Sequence, residues 1–386
     1  MRQAFLTYKD EDVGIVREDN GGVYDLEIFD GAPHPIACGL PPDFSSYRSQ
    51  YLHPVISNLA PEGWLKDRQQ VQKDDLFGLL ALYGQDCIGA LGIRSSDTGE
   101  PSLQSESPEQ VAATAGSRTI SGEQKKLLVI RDDGHIRSAR HDEKATHIAK
   151  YASNRLTDLV ENEKVALDLV KALLPNDDVE TYFLGRVAGI NELALIIERF
   201  DRTAEGAKLR CEDFAQILLK SPGEKYDADY ADLLQAFEFS ASSLIDRLIF
   251  FKRLIAFVLI GNGDCHLKNW SLLEQTDGTL RLSPVYDVVN SYYYAGRGYS
   301  AGFGLRLEGQ IINWTDYGRD VLVRIGGVLG LSPRTIQRSF HEIRSRETEF
   351  RETIRGSRLL LGDRFEAYDD IWCLKWSEIY ANTSPF

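Results

Sequence analysis

The chain has 386 residues, 43% hydrophobic and 26% charged, with 44 Lys and Arg set against 58 Asp and Glu for a net charge of −14. This supplies ample apolar material for a core and suggests an ordinary globular protein of two or three domains or lobes. An acidic surface repels a phosphate backbone, which argues against general nucleic-acid binding while leaving room for a local basic patch.

Residues 1–95 read as a small α/β unit. Val13 to Val16 and Val23 to Leu26 are predicted strands separated by the turn residues Asp19-Asn20-Gly21-Gly22. Tyr51 to Leu65 follows, with Asn58 to Gly63 as a helix end or break. Asp74 to Tyr83 reads as an amphipathic helix that Gly84 is placed to cap, and Ile88 to Ile93 as a strand. Residues 96–117 are polar and rich in breakers, as in an exposed linker.

Thr119 to Lys126 then sets a glycine beside two hydroxyls and two lysines, leading into the apolar Leu127 to Ile130. Such a stretch can fold over phosphates, although on its own it fits a β-turn entering a strand better. It is not a Walker A loop. Thr146 to Lys150 is a short predicted strand ending in a lysine, and Asp158 to Leu174 a helix carrying Glu161 and Glu163. Kinases pair such a strand lysine with a helix glutamate, but each residue alone also fits a solvated surface. Leu193 to Arg202 is an apolar strand running into charge, which suits a hinge whose backbone meets an adenine. Beyond it the pattern is helical: Glu212 to Leu219, Asp229 to Glu238, Ser243 to Ile260, Asp316 to Leu329, Pro333 to Thr353 and Arg364 to Tyr380.

Gly261-Asn262-Gly263-Asp264-Cys265-His266-Leu267-Lys268-Asn269 closes the most apolar of those helices. Asp264 and Asn269 lie five residues apart, and a second acid follows in Pro284-Val285-Tyr286-Asp287. Phosphoryl transfer needs such a set: one carboxylate to orient a hydroxyl, then a carboxamide and a carboxylate for Mg²⁺. Asp-x₄-Asn alone is weak. Cys38, Cys87, Cys211, Cys265 and Cys373 form no C-x-x-C pair, so neither a zinc site nor a redox motif is indicated, and their dispersal fits a reducing cytoplasm. The start of the chain lacks the apolar core of a signal peptide, and Leu254 to Ile260 is too short to cross a bilayer. The expectation is a soluble cytoplasmic protein without membrane contact.

Together these stretches resemble the HipA family, the toxin kinases of bacterial HipBA toxin–antitoxin modules. In the first 95 residues the likeness rests on Asn58 to Gly63 and Leu80 to Leu91. Further on it rests on Ile120 to Lys126, Ile197 to Arg202, Glu212 to Gln216, Gly261 to Asn269 and Pro284 to Asp287. The resemblance implies an α+β fold: a protein-kinase-like two-lobed body with an additional small N-terminal α/β subdomain. Its divisions would be an N-terminal subdomain at 1–95, a linker at 96–117, a kinase N-lobe at 118–201 and a helical C-lobe at 202–386.

The resemblance further implies ATP- and Mg²⁺-dependent serine/threonine phosphorylation. Asp264 matches the catalytic aspartate, and Asn269 and Asp287 match the metal ligands. Ser121, Gly122, Glu123, Gln124, Lys125 and Lys126 match the phosphate loop, Lys150 the phosphate-contacting lysine, and Glu198, Arg199 and Phe200 the hinge. His266, Lys268 and Tyr286 accompany them at the nucleotide site. Members phosphorylate their own phosphate loop, here at Thr119 or Ser121. A phosphate there carries roughly two negative charges and would repel those of ATP. The family's known targets are aminoacyl-tRNA synthetases, and its usual partner is a small helix-turn-helix antitoxin, HipB, through which any DNA contact would run. A small-molecule or lipid kinase of related fold and an antitoxin-bound co-repressor are the competing readings.

Overall fold

The hairpin that opens the chain shows how local sequence builds the first layer. In this computed structural model, which describes residues 2–60, 75–95, 124–140, 143–152, 156–295, 302–360 and 362–380, β1 (Arg2–Tyr8) and β2 (Glu11–Glu18) pair antiparallel from Arg2↔Glu18 to Tyr8↔Glu11. Lys9 and Asp10 join them with φ of 50° and 73°, a two-residue turn whose twist matches that of its strands. Neither residue is glycine. The strain is offset by contacts: the Asp10 carboxylate lies 2.9 Å from Lys208 and 3.1 Å from Lys144, and the Lys9 N–H donates to the Ala90 carbonyl at 2.8 Å.

β3 (Tyr24–Ile28), β4 (Ser46–Ser49) and β5 (Leu91–Ser95) complete a sheet of order β4-β3-β2-β1-β5. Its buried face joins Ala4, Leu6, Val16, Leu26 and Ile93 to Val55, Ile56 and Leu80 from the helices Pro54–Ser57 and Leu76–Tyr83.

His53 caps the first of those helices. Its Nδ1 accepts from the Val55 N–H at 3.3 Å, and its ring meets Phe44 and Tyr47 edge-on at 5.6 and 4.9 Å. Burial pushes the imidazole down from 6.5 to about 4. The folded protein therefore resists a proton that the unfolded chain accepts. This contribution is intact above pH 6.5 and is lost as pH falls from there towards about 4, a penalty of about 3 kcal/mol at the acid end. We predict that His53→Asn, which keeps a capping acceptor, flattens that part of the pH–stability curve measured by urea unfolding. An unchanged slope between those limits would refute the assignment.

A second sheet has order β7-β6-β8-β10-β9, built from β6 (Lys126–Asp132), β7 (His135–Ser138), β8 (His147–Lys150), β9 (Tyr182–Gly185) and β10 (Ala194–Glu198). Leu127, Val129, Ala149 and Ile196 form one buried face, and Leu128, Ile130, Ala145 and Ile148 the other.

The chain divides into two compact units, 1–160 with 181–223, and 161–180 with 224–386. The first holds the two five-stranded sheets. The second is mostly helical and is built on Ser243–Ile260, whose last turns, from Phe250 onward, are buried except at Lys252. Trp270 lies 4.2 Å from Phe250 and 5.3 Å from Phe257, and the Trp314 indole donates to the Val258 carbonyl at 2.9 Å. Asp246, buried in the first turn, accepts from Ser240 Oγ at 2.5 Å, from Arg281 at 2.8 Å and from the Leu282 N–H at 2.9 Å, tying the hairpin Ser271–Glu274 and Leu280–Leu282 to the helix.

The expected mixed α+β fold is what forms, with several local differences. The helix expected over Glu212 to Leu219 is a strand, Cys211–Asp213, then a single turn, Phe214–Ile217, because Asp213 and Gln216 close a capping box. The helix expected from Asp229 starts only at Leu233, since the Asp229 carboxylate accepts from the Ala231 and Gly309 N–H groups in a turn. Pro333 to Thr353 is two helices, Pro333–Arg344 and Glu347–Gly356. The strand expected over Ile88 to Ile93 begins at Leu91, and Gly89 before it sits at φ +82°. The expected linker and the residues Thr119, Ser121, Gly122 and Glu123 lie outside the described residues. Among the described residues no helix is long and apolar enough to cross a membrane.

Candidate active site

The helix Ser243–Ile260 ends in a fully packed environment, so its last carbonyls need partners from the chain itself. Gly261 provides them at φ +85°. Its N–H donates to the Phe257 and Val258 carbonyls at 2.9 and 3.3 Å, and the Asn262 N–H donates to Phe257 at 2.9 Å, a Schellman closure. A Cβ at position 261 would lie 2.6 Å from Asn290 Oδ1, so space as well as backbone angle demands glycine. The Gly263 N–H then donates to Ser291 Oγ at 2.8 Å.

The chain emerges at Asp264. Cys265, His266, Leu267 and Lys268 are buried, whereas the Asp264 side chain is 48% exposed and Asn269 partly so. The neighbours turn inward, and Asp264 and Asn269 turn out. Asp264 Oδ1 accepts the phenol hydrogen of Tyr226 and lies 4.0 Å from His266 Nε2, while the Tyr226 and His266 rings meet edge-on at 4.9 Å. Asn269 Nδ2 donates to the Asp264 carbonyl at 2.6 Å. That bond fixes the carboxamide and leaves Oδ1 as its acceptor atom.

Asp287 sits on a segment held from several sides. The Val285 N–H donates to the Asp178 carbonyl at 2.8 Å and the Glu180 N–H to the Val285 carbonyl at 3.0 Å. Arg253 donates to the Ser283 carbonyl at 2.7 Å and grips Asp177 at 2.8 and 2.7 Å. The Tyr286 hydroxyl donates to the Lys268 carbonyl at 2.9 Å and takes the Ser271 hydroxyl at 2.5 Å, tying this segment to the Asp264–Asn269 loop. Asp287 itself stands at φ +57°. A non-glycine residue in that region costs on the order of 1–3 kcal/mol and clusters at functional positions. Beyond it, Asn290 and Asn162 exchange side-chain and main-chain bonds at 2.7 and 3.1 Å.

The donor set available from Asn269 and Asp287 is hard oxygen and fits Mg²⁺, which binds through one or two carboxylates plus substrate phosphates rather than through a protein cage. Among the described residues no group of three or more His, Cys, Asp or Glu side chains is disposed to hold a metal ion by itself.

The remaining candidates lie in the first unit. Lys126 and Lys150 stand directly opposite each other across β6 and β8, both buried. The register therefore sets two lysines side by side in the interior of this sheet. Lys125 leans over the Tyr151 ring at 5.0 Å and reaches Glu192 at 3.4 Å. Gln124 precedes it, and Glu198 is exposed at the end of β10. Phe200 is half-buried. Of the two glutamates on the helix Leu159–Leu173, Glu163 is fully buried and Glu161 only partly.

Arg199 is engaged in a buried ion network. It meets Asp86 at 3.0 Å, Asp201 at 2.8 Å and the Cys87 carbonyl at 3.0 Å; Arg202 meets Asp86 at 2.5 Å and Asp201 at 2.7 Å. The Gly89 N–H donates to Asp201 at 2.8 Å. Burial alone would raise the Asp201 carboxyl, yet Arg199 and Arg202 hold it below the ordinary carboxylate range. Asp86, Asp201 and Arg202 were not visible as a unit in the sequence, because Asp86 lies 113 residues from Arg199. Tyr226 was missed as well: a lone tyrosine in a polar loop gives no signal.

These features belong to a HipA-type kinase fold. Residues 6–94 match the HipA N-terminal domain family and residues 118–349 the HipA-like C-terminal domain family. The chain belongs to the HipA family. It is similar to Y4dM of Sinorhizobium fredii (strain NBRC 101917 / NGR234), with 32% identity over 257 residues covering 62% of this chain and 63% of that one. Y4mE of the same strain is 27% identical over 300 residues, covering 67% and 69%. The chain thus spans just under two thirds of the length of Y4dM. The HipA chain from a Shewanella oneidensis MR-1 complex of HipA, HipB and operator DNA superposes with a TM-score of 0.75 at 18% identity, covering 97% of this chain and 96% of that one. That likeness is one of fold.

Proposed function

We propose that the chain is an ATP-dependent serine/threonine kinase acting as the toxin of a type II toxin–antitoxin module. One observation carries the reading: Asp264, Asn269 and Asp287 lie in one unit on segments joined by partly buried hydrogen bonds, each side chain left partly exposed. The kinase names of Y4dM and Y4mE support it.

Asp264 would take the proton of an acceptor hydroxyl as its oxygen bonds to the γ-phosphorus and the bridging bond to ADP breaks. Mg²⁺ held by Asn269 and Asp287 would neutralise charge on the phosphates. Tyr286 keeps the two halves of the set in register through the Lys268 carbonyl. By the family resemblance, Lys126 and Lys150 would attract the phosphates together with Ser121, Gly122, Glu123, Gln124 and Lys125, and the Glu198–Phe200 backbone would meet the adenine. His266 and Lys268 shape the loop from its buried side. Positioning and electrostatics then supply most of the rate.

By family resemblance, the kinase would phosphorylate itself at Thr119 or Ser121 and act in the cytoplasm on an aminoacyl-tRNA synthetase. The HipB in the Shewanella oneidensis complex motivates a helix-turn-helix antitoxin as partner, with DNA reached only through it. The test is mass spectrometry of the purified chain after incubation with Mg·ATP. A phosphate on Thr119 or Ser121 is expected. A chain that stays unmodified, while a lipid or small-molecule extract is phosphorylated, would favour a metabolite or lipid kinase instead.

A further inference from the structure

We propose that Tyr226 is a built-in competitor for the acceptor position: its phenol occupies Asp264 until a substrate hydroxyl displaces it. This rests on the reading of Asp264 as catalytic base. The Tyr226 hydroxyl donates to Asp264 Oδ1, which is the bond an acceptor hydroxyl must make before it gives up its proton. The phenol therefore stands in for the substrate alcohol.

The loop is fixed on both sides of Tyr226. The Lys225 carbonyl accepts from the Leu267 N–H at 3.0 Å, inside the candidate catalytic loop itself. Further on, the Tyr230 N–H donates to the Arg306 carbonyl and the Arg306 N–H to the Ala228 carbonyl, both at 2.9 Å, while Arg306 also pairs with Asp227. The ring rests edge-on against His266 at 4.9 Å. The backbone thus delivers the phenol to Asp264 without requiring the bond to the carboxylate for its own stability.

The contact is also one that can open. Tyr226 is 42% exposed and the Asp264 side chain 48%, so both groups regain water when they part. A buried structural tyrosine would look different: Tyr230, a few residues on, is 1% exposed and bonded to Tyr317 at 2.9 Å. A hydrogen bond to a charged group sets the advantage of the occupied form at about tenfold. Small or poorly bound acceptors would be disfavoured by about that factor. A protein bound through an extended surface could displace the phenol.

The experiment measures phosphate release from Mg·ATP with water as the acceptor, comparing wild type, Tyr226→Phe and Tyr226→Phe combined with Asp264→Asn. Phenylalanine keeps the ring against His266 and removes only the hydroxyl. The expected result is release raised about tenfold in Tyr226→Phe, with KM for ATP unchanged, and abolished in the double variant. Unchanged or lower release in Tyr226→Phe overturns the proposal, a fall in kcat meaning that the phenol positions Asp264 rather than blocking it. If wild type releases no phosphate, a gain in Tyr226→Phe supports the proposal and continued silence overturns it. Release that persists in the double variant points elsewhere, to a failure of the Asp264 assignment itself.

Discussion

Replacing Asp264 with alanine should lower phosphoryl transfer by at least about 10²–10⁴-fold, the span assigned to a positioned acid–base group, while leaving the fold intact. The second half of the expectation follows from the geometry around the residue. Its side chain is half exposed and its carboxylate bonds Tyr226 at the surface, whereas the loop is held by main-chain groups and by Asn269 bonding the Asp264 carbonyl. None of those main-chain bonds is lost on truncation. Surface substitutions away from buried features usually shift stability within about 0.5 kcal/mol. The measurement is transfer from labelled ATP, alongside a thermal unfolding curve. Parent-level labelling in the variant would remove Asp264 from the mechanism, whereas an unfolded variant would show that the carboxylate holds the loop.

Asp86→Ala should be strongly destabilising to the first unit. It leaves Arg199 and Arg202, both buried, with one carboxylate of their pair, Asp201, and main-chain carbonyls. Removing one partner from a buried ion cluster costs about 3–5 kcal/mol, because a charge stays buried without compensation. At about 2–4 °C per kcal/mol for a body of this size, the melting midpoint should fall by on the order of 6–20 °C. Asp86→Asn retains acceptor capacity and should fall less. A loss under about 1 kcal/mol by urea titration would mean that water or Asp201 compensates. Even the wild-type network is weak evidence of net stability, since an apolar cluster of equal volume can do as well. Its distinctive contribution is geometric: the residue following β10 is locked by a guanidinium fork to Asp86, Cys87 and Asp201.

The sequence made some of this legible and hid the rest for physical reasons. The end of Ser243–Ile260 was legible because the apolar run Leu254 to Ile260 meets Gly261, a residue type suited to the left-handed closing conformation. Asp264, Asn269 and Asp287 stood out because polar residues beside such a run need a reason to be there. The hairpins were harder. Asp133-Gly134 and Asp277-Gly278 are turn signals, yet the strands they join are three to seven residues long, too short for alternation to register against a helical background. The ion network was invisible because its members are ordinary surface residue types whose pairing depends on contacts more than a hundred residues apart. Even the left-handed backbone of Asp287 carries no compositional mark, unlike that of Gly261.

The interleaving of the two units bears on how the chain is made. The helix Leu159–Leu173 leaves the ribosome early, but Asn162 finds Asn290 128 residues later, and Arg346 reaches the Ala172 carbonyl 174 residues later. At about 5–20 residues per second, the first of those partners arrives roughly 6–26 s after the helix. During that interval those bonds are unmade, and Val165, Leu169 and Val170, fully interior in the finished protein, belong to a unit that is still incomplete. A nascent chain arrested there carries these apolar residues in an unfinished unit, so slowing elongation through residues 180 to 290 should lower the yield of folded protein.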